Sequence, residues 1–595
     1  MGAMKNKKTR LYTVPVTITI SLVAVLSLAG CAGQEADDPP AADQLAGLSE
    51  LTGTVTAEVP FKAAQVYARN LDKNMLYTVF TNRGQYRAIN LMPGGYEVWA
   101  EKGELRSEHV MLRIQDGVDV GIDLALKPGR PFPLTQKTRT QEGVPQLTYD
   151  EMYPPGPGRD LLEHKCMACH GQAFFPARHM TEWQWNYMIG QMLDPDARTR
   201  TLGQRGAMIT GGGSVGGITE AERKTLAVYL EANFGEHSAA RLLKLDIEYP
   251  LDEALLSKAM FIEYLLPLPP GADLSVGSSN VAGQHRMVEP HIDNSGNIWA
   301  TNGVLGVSRL DPRTAEYVHY PYPEPNIFGH GLTVDSNGHV FWIEFNGQHV
   351  GRLDPSTGKM DRFPMDPEGN VRNIQGHTPN LDSEENVWFT VINGNKIGKW
   401  DRQTEAITLW EIPTPNSFPY GIEVDQNNEV WFAELWGCNV GRFSPSTETF
   451  TEYPALEQPC AMNRLMADSE GVIWYSLSRP GILGKLDPVT GEQEEYDIVP
   501  FRAESKVYGS RPYGIIADHE DQVWFGDNAL GGALIHFDPD EKAFTYYPLP
   551  RQTDNPNIDR TGEGAIVYTS RSNQQSAIGI FYPDASKMTG YGAYR

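Results

Sequence analysis

The fold of this chain is decided by a stretch that recurs along its second half, FPYGIEVDQNNEVWFAELWGCNVGRFSPST at residues 418–447. Short β-type runs, such as GIEV and VWFAE, alternate in it with turn-forming DQNN and SPST segments. Runs of this length between such turns predict antiparallel strands. The same order returns at residues 329–358, GHGLTVDSNGHVFWIEFNGQHVGRLDPSTG, so the stretch is one unit of a repeat.

Each repeat is marked by the first aromatic residue of its central strand. This position recurs seven times, at spacings of 42 to 50 residues. Four strands in such a unit are typical of a propeller blade. The chain is therefore predicted to be multidomain and mainly β, with a seven-bladed β-propeller over residues 257–595. Because the aromatic residues and the Asp-Pro turns recur with the period, we assign them to packing and turns. The aromatic markers are Trp299, Phe341, Trp388, Trp431, Trp474, Trp524 and Tyr568.

The segment MFIEYLLPLP, residues 260–269, precedes the repeats and resembles their outer strands. Two arrangements are open for it. It completes the last blade and closes the ring, or the last repeat supplies its own fourth strand.

Two positions of each repeat share one face of a propeller: the start of the innermost strand and the end of the second strand, fourteen residues later. Because the repeat does not require functional side chains there, a polar binding pocket and a water-filled funnel are the alternatives. The strand starts are Val288, His330, His377, Tyr420, Asn463, Tyr513 and Asn557, and the strand ends are Asn302, Glu344, Val391, Glu434, Leu477, Asp527 and Arg571.

Over residues 285–595 the repeats resemble the virginiamycin B lyase (streptogramin lyase) family. The resemblance implies a funnel histidine as general base and, fourteen residues later, a glutamate that binds magnesium. His330 and Glu344 reproduce that spacing, and His377, Tyr420 and Glu434 are further catalytic candidates at the funnel positions. Carboxylate oxygens suit Mg²⁺ or Ca²⁺, so Glu344 is the candidate cation ligand.

The chain departs from that family's pattern around its histidines. Gly329 stands where the family has the proline of a Pro-His-Gly motif. The family's second histidine lies one blade earlier, where this chain has Val288, whereas His377 lies one blade later.

A second motif, CMACH at residues 166–170, has the two cysteines and the histidine by which a c-type haem is attached. Its thiols, Cys166 and Cys169, would add across the haem vinyl groups, and His170 would bind the iron. Helical patterns follow the motif, and Thr219 with Glu222 forms a capping box before the last helix. Residues 156–240 therefore resemble a class I cytochrome c.

The sixth iron ligand is expected from a methionine after the motif. Met208 is favoured, because in small cytochromes the ligand lies on a loop just before the last helix. Methionine ligation favours electron transfer over oxygen chemistry. His179 or an open position is the alternative. The other methionine candidates after the motif are Met180, Met188 and Met192, of which the last two have a helical spacing typical of core residues.

The chain begins with a basic segment and an apolar run that predict an export signal over residues 1–30. The sequence LAGC at its end resembles the lipobox of bacterial lipoproteins, which implies a lipid on Cys31 and a membrane anchor. Ala32 follows the lipidated cysteine. In a Gram-negative cell it resembles the residue found at this position in lipoproteins that are sent to the outer membrane. Residues 31–47 are polar and Pro-Ala-rich, so they are predicted to be a flexible tether.

Residues 48–128 contain short alternating β-type runs that predict a small antiparallel sandwich. The series LTGTVTAE…AAQVYARN…TNRGQYRAINLMPGGYEVWAEKGE resembles the carboxypeptidase regulatory-like domain, a structural spacer. A linker follows over residues 129–155. Two cysteines remain, and on an exported chain Cys438 and Cys460 can pair because they lie on one predicted face of adjacent blades. Two separate buried thiols are the alternative.

The charge of the chain restricts its partners. The net charge is −25 for all 595 residues and becomes −29 without residues 1–30, which disfavours nucleic acid and suits a basic redox partner. The predicted function is an exported, lipid-anchored haem c protein in electron transfer, whose propeller binds a substrate or partner. A metal-dependent lyase or lactone/ester hydrolase is one alternative, and a non-catalytic binding module that carries a haem is another.

Overall fold

The alternating patterns of the sequence fold mainly into strands, with a few helices between two β regions. The protein is represented by a computed structural model. It describes residues 45–129, 132, 134–135, 144–167, 175–176, 178–193, 218–243, 249–267, 287–303, 305–324, 327–345, 347–367, 374–498, 510–528, 532–551, 553, 557–571 and 575–594. Cys31, Cys169, His170 and Met208 lie outside the described residues, so the predictions about them stay predictions.

The N-terminal β region packs alternate side chains of its strands into one core, which includes Val55, Val66, Tyr77 and Val98. Strand β1 pairs antiparallel with β4 and parallel with β9, and β2 lies between β3 and β5. The strands are β1 (Ser49–Ala57), β2 (Gln65–Asn70), β3 (Met75–Phe80), β4 (Gln85–Leu91), β5 (Gly94–Lys102), β6 (Leu105–Arg106), β7 (Val110–Ile114), β8 (Val120–Gly121) and β9 (Leu124–Pro128).

A helical segment follows, with a core of its own built from Tyr153, Leu162, Trp185, Leu226 and Phe234. The predicted capping box is present, since Thr219 caps the last helix of this segment. The elements are β10 (Gln146–Leu147), α1 (Tyr149–Met152), α2 (Pro157–Lys165), α3 (Glu182–Leu193), α4 (Glu220–Phe234), β11 (Leu242–Leu243) and α5 (Glu253–Leu256). Their identity as a cytochrome c domain stays a prediction.

Six repeats form separate four-stranded antiparallel blades within the described residues, each in chain order from its inner to its outer strand. The blades are β13 (Met287–Ile292), β14 (Ile298–Asn302), β15 (Gly306–Asp311) and β16 (Glu316–Tyr320); β17 (Gly329–Val334), β18 (Val340–Glu344), β19 (His349–Asp354) and β20 (Lys359–Pro364); β21 (Gly376–Leu381), β22 (Val387–Val391), β23 (Lys396–Trp400) and β24 (Ile407–Glu411); β25 (Pro419–Val424), β26 (Val430–Glu434), β27 (Asn439–Ser444) and β28 (Thr449–Pro454); β29 (Ala461–Ala467), β30 (Ile473–Arg479), β31 (Ile482–Leu486) and β32 (Gln493–Asp497); β33 (Pro512–Ala517), β34 (Val523–Asp527), β35 (Ala533–Asp538) and β36 (Ala543–Pro548).

The predicted count of seven blades is wrong for the described residues, because six separate four-stranded blades are present and the seventh repeat does not form a sheet of its own. It supplies three strands, β37 (Ile558–Arg560), β38 (Ile566–Ser570) and β39 (Ala577–Tyr582), before a 3₁₀ helix over Ala585–Lys587. The fourth position is taken by β12 (Met260–Leu265), which pairs antiparallel with β39. The segment MFIEYL thus completes the last repeat, as one of the two arrangements predicted. Strand β37 contacts both β13 and β33, so this repeat closes the ring.

Strand β12 also pairs antiparallel with β3 on its other edge. The seventh repeat and the N-terminal strands therefore belong to one sheet of 13 strands. A fully buried ion pair fixes this junction: Arg551 Nε donates to Glu263 Oε2 at 2.6 Å, and the two side chains are 0% and 1% exposed.

The repeated tryptophans have the packing role predicted for them, and a hydrogen bond not predicted from the sequence fixes their indole rings. In five blades the tryptophan Nε1 donates to an aspartate six residues earlier, at 2.7 Å for Trp299 with Asp293 and 3.0 Å for Trp431 with Asp425. The Asp-Pro residues form turns, as predicted. In one of them Asp354 Oδ1 accepts a hydrogen bond from the backbone N–H of Ser356 at 2.9 Å. Among the described helices, none has both the length and the apolar composition needed to cross a membrane.

Candidate functional site

Four of the predicted strand-start residues meet on the propeller axis. His330, His377, Tyr420 and Tyr513 are each the second residue of an inner strand, and in each blade a β-bulge follows at that point. A bulge turns a side chain away from the ordinary alternation. The ring centroids of His330 and His377 are 3.7 Å apart and those of His377 and Tyr420 are 3.9 Å apart. The hydroxyls of Tyr420 and Tyr513 lie 2.7 Å from each other.

A buried ion pair lies beside this row of rings. Arg464 Nη2 donates to Glu289 Oε1, and its guanidinium lies 5.5 Å from the ring centroids of both Tyr420 and Tyr513. Arg464 Nη1 also donates to Thr378 Oγ1 at 2.7 Å, and that hydroxyl is 2.8 Å from His377 Nδ1. The ion pair is therefore built into the same polar cluster as the histidines.

Sequence reasoning missed Glu289 and Arg464 by one residue, because it expected Val288 and Asn463 to face the axis. The register of β13 against β14 shifts between Val288 and His291, and that of β29 shifts twice before Arg464. Each shift changes which residue points inward. The detectable signal was a charged residue inside an otherwise apolar inner strand.

Burial and neighbouring charges set the ionisation of this cluster. Burial would raise the pKa of the Glu289 carboxyl, but the Arg464 guanidinium and the His330 imidazole outweigh it and bring that pKa to about 2. Burial lowers the pKa of His330, and it lowers the pKa of His377 well below its usual range, helped there by the nearby His330. At neutral pH the site thus holds a carboxylate, a guanidinium and two neutral imidazoles.

Glu344, the predicted magnesium ligand, is held by a cation of its own blade. Arg362 Nε donates to its Oε1 at 2.7 Å and Arg362 Nη2 to its Oε2 at 2.8 Å, while His349 Nδ1 lies 3.5 Å from Oε2. Both oxygens of this fully buried carboxylate are occupied. The geometry therefore does not favour Glu344 as a cation ligand.

Glu434 is the corresponding residue of the fourth blade, and its surroundings are different. Asn439 Nδ2 donates to its Oε2 at 2.9 Å. Burial, aided by the charge of Glu452, raises the pKa of the Glu434 carboxyl to about 8. This carboxyl is therefore largely protonated at neutral pH.

The remaining strand-end positions are structural in the described residues. Val391 and Leu477 are buried in blade cores. Asp527 Oδ1 accepts the backbone N–H of Arg511 at 2.7 Å, and its Oδ2 accepts the Tyr249 hydroxyl at 2.9 Å. Asn302 Oδ1 accepts the backbone N–H of Leu305 at 3.0 Å, and the backbone N–H of Arg571 donates to Thr553. Arg571 is not structural alone, since, besides burial, the charge of its guanidinium helps to lower the pKa of His330 and of His377.

A cavity of about 520 Å³ runs along the inner strands from this cluster. Glu289, Thr378 and Arg464 line it together with Asn557, a predicted strand-start residue. Its wall also contains apolar side chains, including Leu332 and Ile422. A mixed wall with a few charged groups is typical of ligand-binding cavities.

Cys438 and Cys460 form the predicted disulfide, with their Cα atoms 5.5 Å apart. Cys438 follows the second strand of the fourth blade, and Cys460 precedes the inner strand of the fifth. The bond therefore joins adjacent blades, as expected.

The described part of the CMACH segment lies against the propeller. Cys166 is a buried thiol outside the disulfide, at the end of α2. Arg511 Nη2, one residue before β33, donates to the carbonyl oxygen of Met167. The start of the motif is thus fixed next to the blade that carries Tyr513.

The candidates for the sixth haem ligand are only partly described. Met180 packs against the helical core, and Met188 is half-buried. His179 Nδ1 lies 2.7 Å from Ser238 Oγ. The side chain of Met192, like all of Met208, lies outside the description.

Comparison with known proteins links the propeller to one enzyme family. A model of the virginiamycin B lyase family matches residues 282–506. A streptogramin B lyase structure is 22% identical, covers 55% of this chain and 97% of its own, and has a TM-score of 0.46. Virginiamycin B lyase from Staphylococcus aureus is 21% identical, covers 54% of this chain and 99% of its own, and has a TM-score of 0.45. At this identity the likeness describes the propeller fold alone. Among curated proteins none matches this chain.

Proposed function

We propose that this chain is an exported haem c protein of electron transfer, anchored to the membrane through Cys31, in which the propeller holds a ligand on its axis beside the haem. The observation that carries the proposal is the contact between Arg511 and the carbonyl of Met167, inside the CMACH motif. It supports a position of the motif at the end of the axis where the histidine and tyrosine rings meet. The redox partner is expected to be basic, since the chain is strongly acidic.

The described residues around the motif fit a covalent haem. Cys166 lies in an apolar cluster with Leu162, Trp185 and Leu226, which is the kind of surrounding that a porphyrin requires. Cys166 and Cys169 would hold the group, with His170 and Met208 as iron ligands. When bound, the haem would supply one-electron transfer. The chain's own contribution is to orient the motif through Arg511 and Asp527, and to keep the axial ligand site polar and partly desolvated.

The experiment for this proposal is a count of covalent haem. We expect the full chain, exported by cells that mature c-type cytochromes, to carry one haem per chain in a pyridine haemochrome assay and in intact mass. The double variant Cys166→Ala with Cys169→Ala should lose the covalent attachment, because no thiol of the motif remains to add to the haem vinyl groups. The double variant Cys438→Ser with Cys460→Ser, which removes the other described cysteines, should keep it. Wild-type protein without haem would exclude the proposal.

A second function is favoured by the pair His330 and His377 together with the similarity to virginiamycin B lyase. A neutral imidazole beside Tyr420 could take a proton from a lactone or ester substrate, in a lyase or hydrolase reaction. Glu344 does not fit the role of magnesium ligand that the resemblance implies, because Arg362 donates hydrogen bonds to both of its carboxylate oxygens. If this second function holds, the propeller acts by acid–base chemistry at the imidazole rings of His330 and His377.

The two functions are separated by His330→Ala. A lyase or hydrolase should lose cleavage of lactone and ester substrates in this variant, while its haem content is unchanged. An electron-transfer protein should show no such cleavage in either form, and its haem should be reduced by a donor. If neither cleavage nor reduction is found, the propeller is a non-catalytic binding module.

A further inference from the structure

The cluster of Glu289, His330 and His377 brings three metal-ligating side chains together from three adjacent inner strands, and Glu289 also lines the cavity. A carboxylate oxygen of Glu289, a ring nitrogen of His330 and a ring nitrogen of His377 all lie within 4.8 Å of one another, and all three residues are buried. We propose that Glu289, His330 and His377 bind one divalent first-row transition metal ion on the propeller axis. The proposal does not depend on the haem or on the proposed function.

A buried polar atom points into this cluster independently of the ligand spacing. His330 is 7% exposed, and its Nδ1 makes no hydrogen bond among the described residues. It lies 3.5 Å from Glu289 Oε1, too far for a strong hydrogen bond. A buried nitrogen left without a partner is destabilising, and a metal–ligand bond would give it one.

The groups behind the three ligands are arranged as second-layer partners of a metal site. Arg464 Nη2 donates to Glu289 Oε1, the oxygen that lies 3.5 Å from His330 Nδ1, and so fixes the carboxylate beside that imidazole. Thr378 Oγ1 lies at hydrogen-bond distance, 2.8 Å, from His377 Nδ1, and it accepts a hydrogen bond from Arg464 Nη1. Such partners fix the orientation of ligating side chains.

Gly331 gives Glu289 the room that it needs. A Cβ atom at this position would lie 2.3 Å from Glu289 Oε2 and 2.8 Å from the carbonyl oxygen of His377. A larger residue would therefore push the carboxylate away from the histidines. The absence of a side chain at residue 331 is a condition of the cluster.

The ligand set selects the class of metal. Two imidazoles with one carboxylate suit Zn²⁺, Fe²⁺, Mn²⁺ or Co²⁺, whereas Mg²⁺ and Ca²⁺ prefer oxygen ligands alone. Three protein ligands leave coordination positions open, as in catalytic sites. The cavity reaches Glu289, so a small ligand could approach the ion from that side. The site differs from the magnesium site that the resemblance implied at Glu344.

The test is zinc binding by the full-length protein, because zinc is distinct from any haem iron. Chelator-treated protein is equilibrated with Zn²⁺, and bound metal is counted by elemental analysis and titrated by calorimetry. We expect one Zn²⁺ per chain and a higher melting temperature with zinc. His330→Asn and His377→Asn should each weaken binding by about 100-fold or more, the upper range known for supporting residues.

The control variants are Glu344→Gln and His349→Asn, which alter the other buried His–Glu pair of the same propeller. Both should bind one Zn²⁺ like the wild type. Glu289→Gln keeps the shape of the side chain and tests the carboxylate if a histidine variant does not fold. Zinc binding that survives in the His330, His377 and Glu289 variants, or that is lost in the Glu344 variant, would overturn the proposal.

Discussion

At the scale of single residues, two blades use the same pair of positions in opposite ways. Glu344 and Arg362 are 18 residues apart in the second blade, and Glu434 and Glu452 are 18 residues apart in the fourth. The first pair is an ion pair. In the second pair, the Glu434 carboxyl faces the carboxyl of Glu452. The two oxygens of Glu452 accept hydrogen bonds from the backbone N–H and the hydroxyl of Thr414, each at 2.9 Å. A proton on Glu434 is what makes the fourth-blade arrangement stable.

We therefore expect Glu434→Gln to change the dependence of stability on pH. The folded-state pKa of about 8 lies above the usual Glu value of 4.5, so the stability from this group is present below about pH 4.5 and is lost as pH rises through about 8. At pH 9 the variant should be more stable than the wild type, by roughly 5 kcal/mol, and at pH 4.5 nearly equal. Guanidinium unfolding at several pH values measures this.

The matched control is Glu344→Gln, because its partner is a cation. Removing that charge leaves Arg362 without its buried carboxylate, so this variant should be less stable than the wild type at pH 7. An equal response of both glutamine variants at pH 9 would contradict the assignment of a protonated Glu434.

Residue spacing was sufficient to find His330, His377, Tyr420 and Tyr513, because the repeat fixes one strand-start position in each blade. It was not sufficient for Glu289 and Arg464. Those residues face the axis only through register shifts in β13 and β29. A bulge depends on the pairing of two strands, and a periodic pattern in one strand does not contain that information.

At the scale of elements, the closure of the ring depends on β12 and on the ion pair beneath it. Arg551 also donates to the carbonyl of Gln575 at 2.6 Å, so one side chain connects the closing strand with the last repeat. We expect Arg551→Ala to destabilise the protein by about 3–5 kcal/mol, because Glu263 would remain as an unpaired buried charge. The unfolding midpoint in guanidinium chloride measures the loss.

The double variant Arg551→Met with Glu263→Met is the control for that prediction. It removes both charges and fills the space with apolar side chains, so it should be more stable than Arg551→Ala alone. A double variant that is as unstable as the single one would show that the guanidinium contributes through Gln575 and not through Glu263.

The disulfide joins elements of two blades that already pack together. Cys438 and Cys460 are 22 residues apart, and closing a loop of this length contributes about 3 kcal/mol. We expect the variant with both cysteines changed to serine to lose about that much stability and to keep its zinc content. Reduction of the wild type should give the same shift in unfolding midpoint, and an unchanged midpoint would argue against the bond.

The sequence predicted most of the features that lie within a single blade. It did not predict the strand pairing between the propeller and the N-terminal β region. The four-strand unit, the packing role of its tryptophans and the outer-strand likeness of MFIEYL were all readable from the repeat, but the aspartates that accept from the indoles were not predicted. The pairing of β12 with β3 was not readable either, because the alternating pattern of a strand gives no information about its partner on the far edge. For this reason the sequence predicted a seven-bladed propeller without predicting that the last repeat shares a sheet with the N-terminal strands.

At the scale of the whole molecule, the contact between the helical segment and the propeller fixes the described start of the CMACH motif, Cys166 and Met167, next to the sixth blade. Arg511 donates to the carbonyl of Met167. Burial lowers the pKa of Arg479 to about 10, partly offset by the carboxylate of Glu163 in α2. Two arginines of the propeller face thus interact with the segment that begins the motif.

We expect Arg511→Ala to loosen this contact without unfolding either part, since the backbone N–H of residue 511 still donates to Asp527. A hydrogen bond from a charged donor contributes about 1.5–3 kcal/mol, so amide exchange in α1 and α2 should become about tenfold faster or more. Exchange in β17 and β21 should not change. Arg352→Ala, which removes ion pairs with Asp361 and Glu405 on the outer face, is the matched control and should leave α1 and α2 unaffected. If exchange in α1 and α2 is equal in both variants, the segment is held by other contacts, and the position of the motif over the axis does not depend on Arg511.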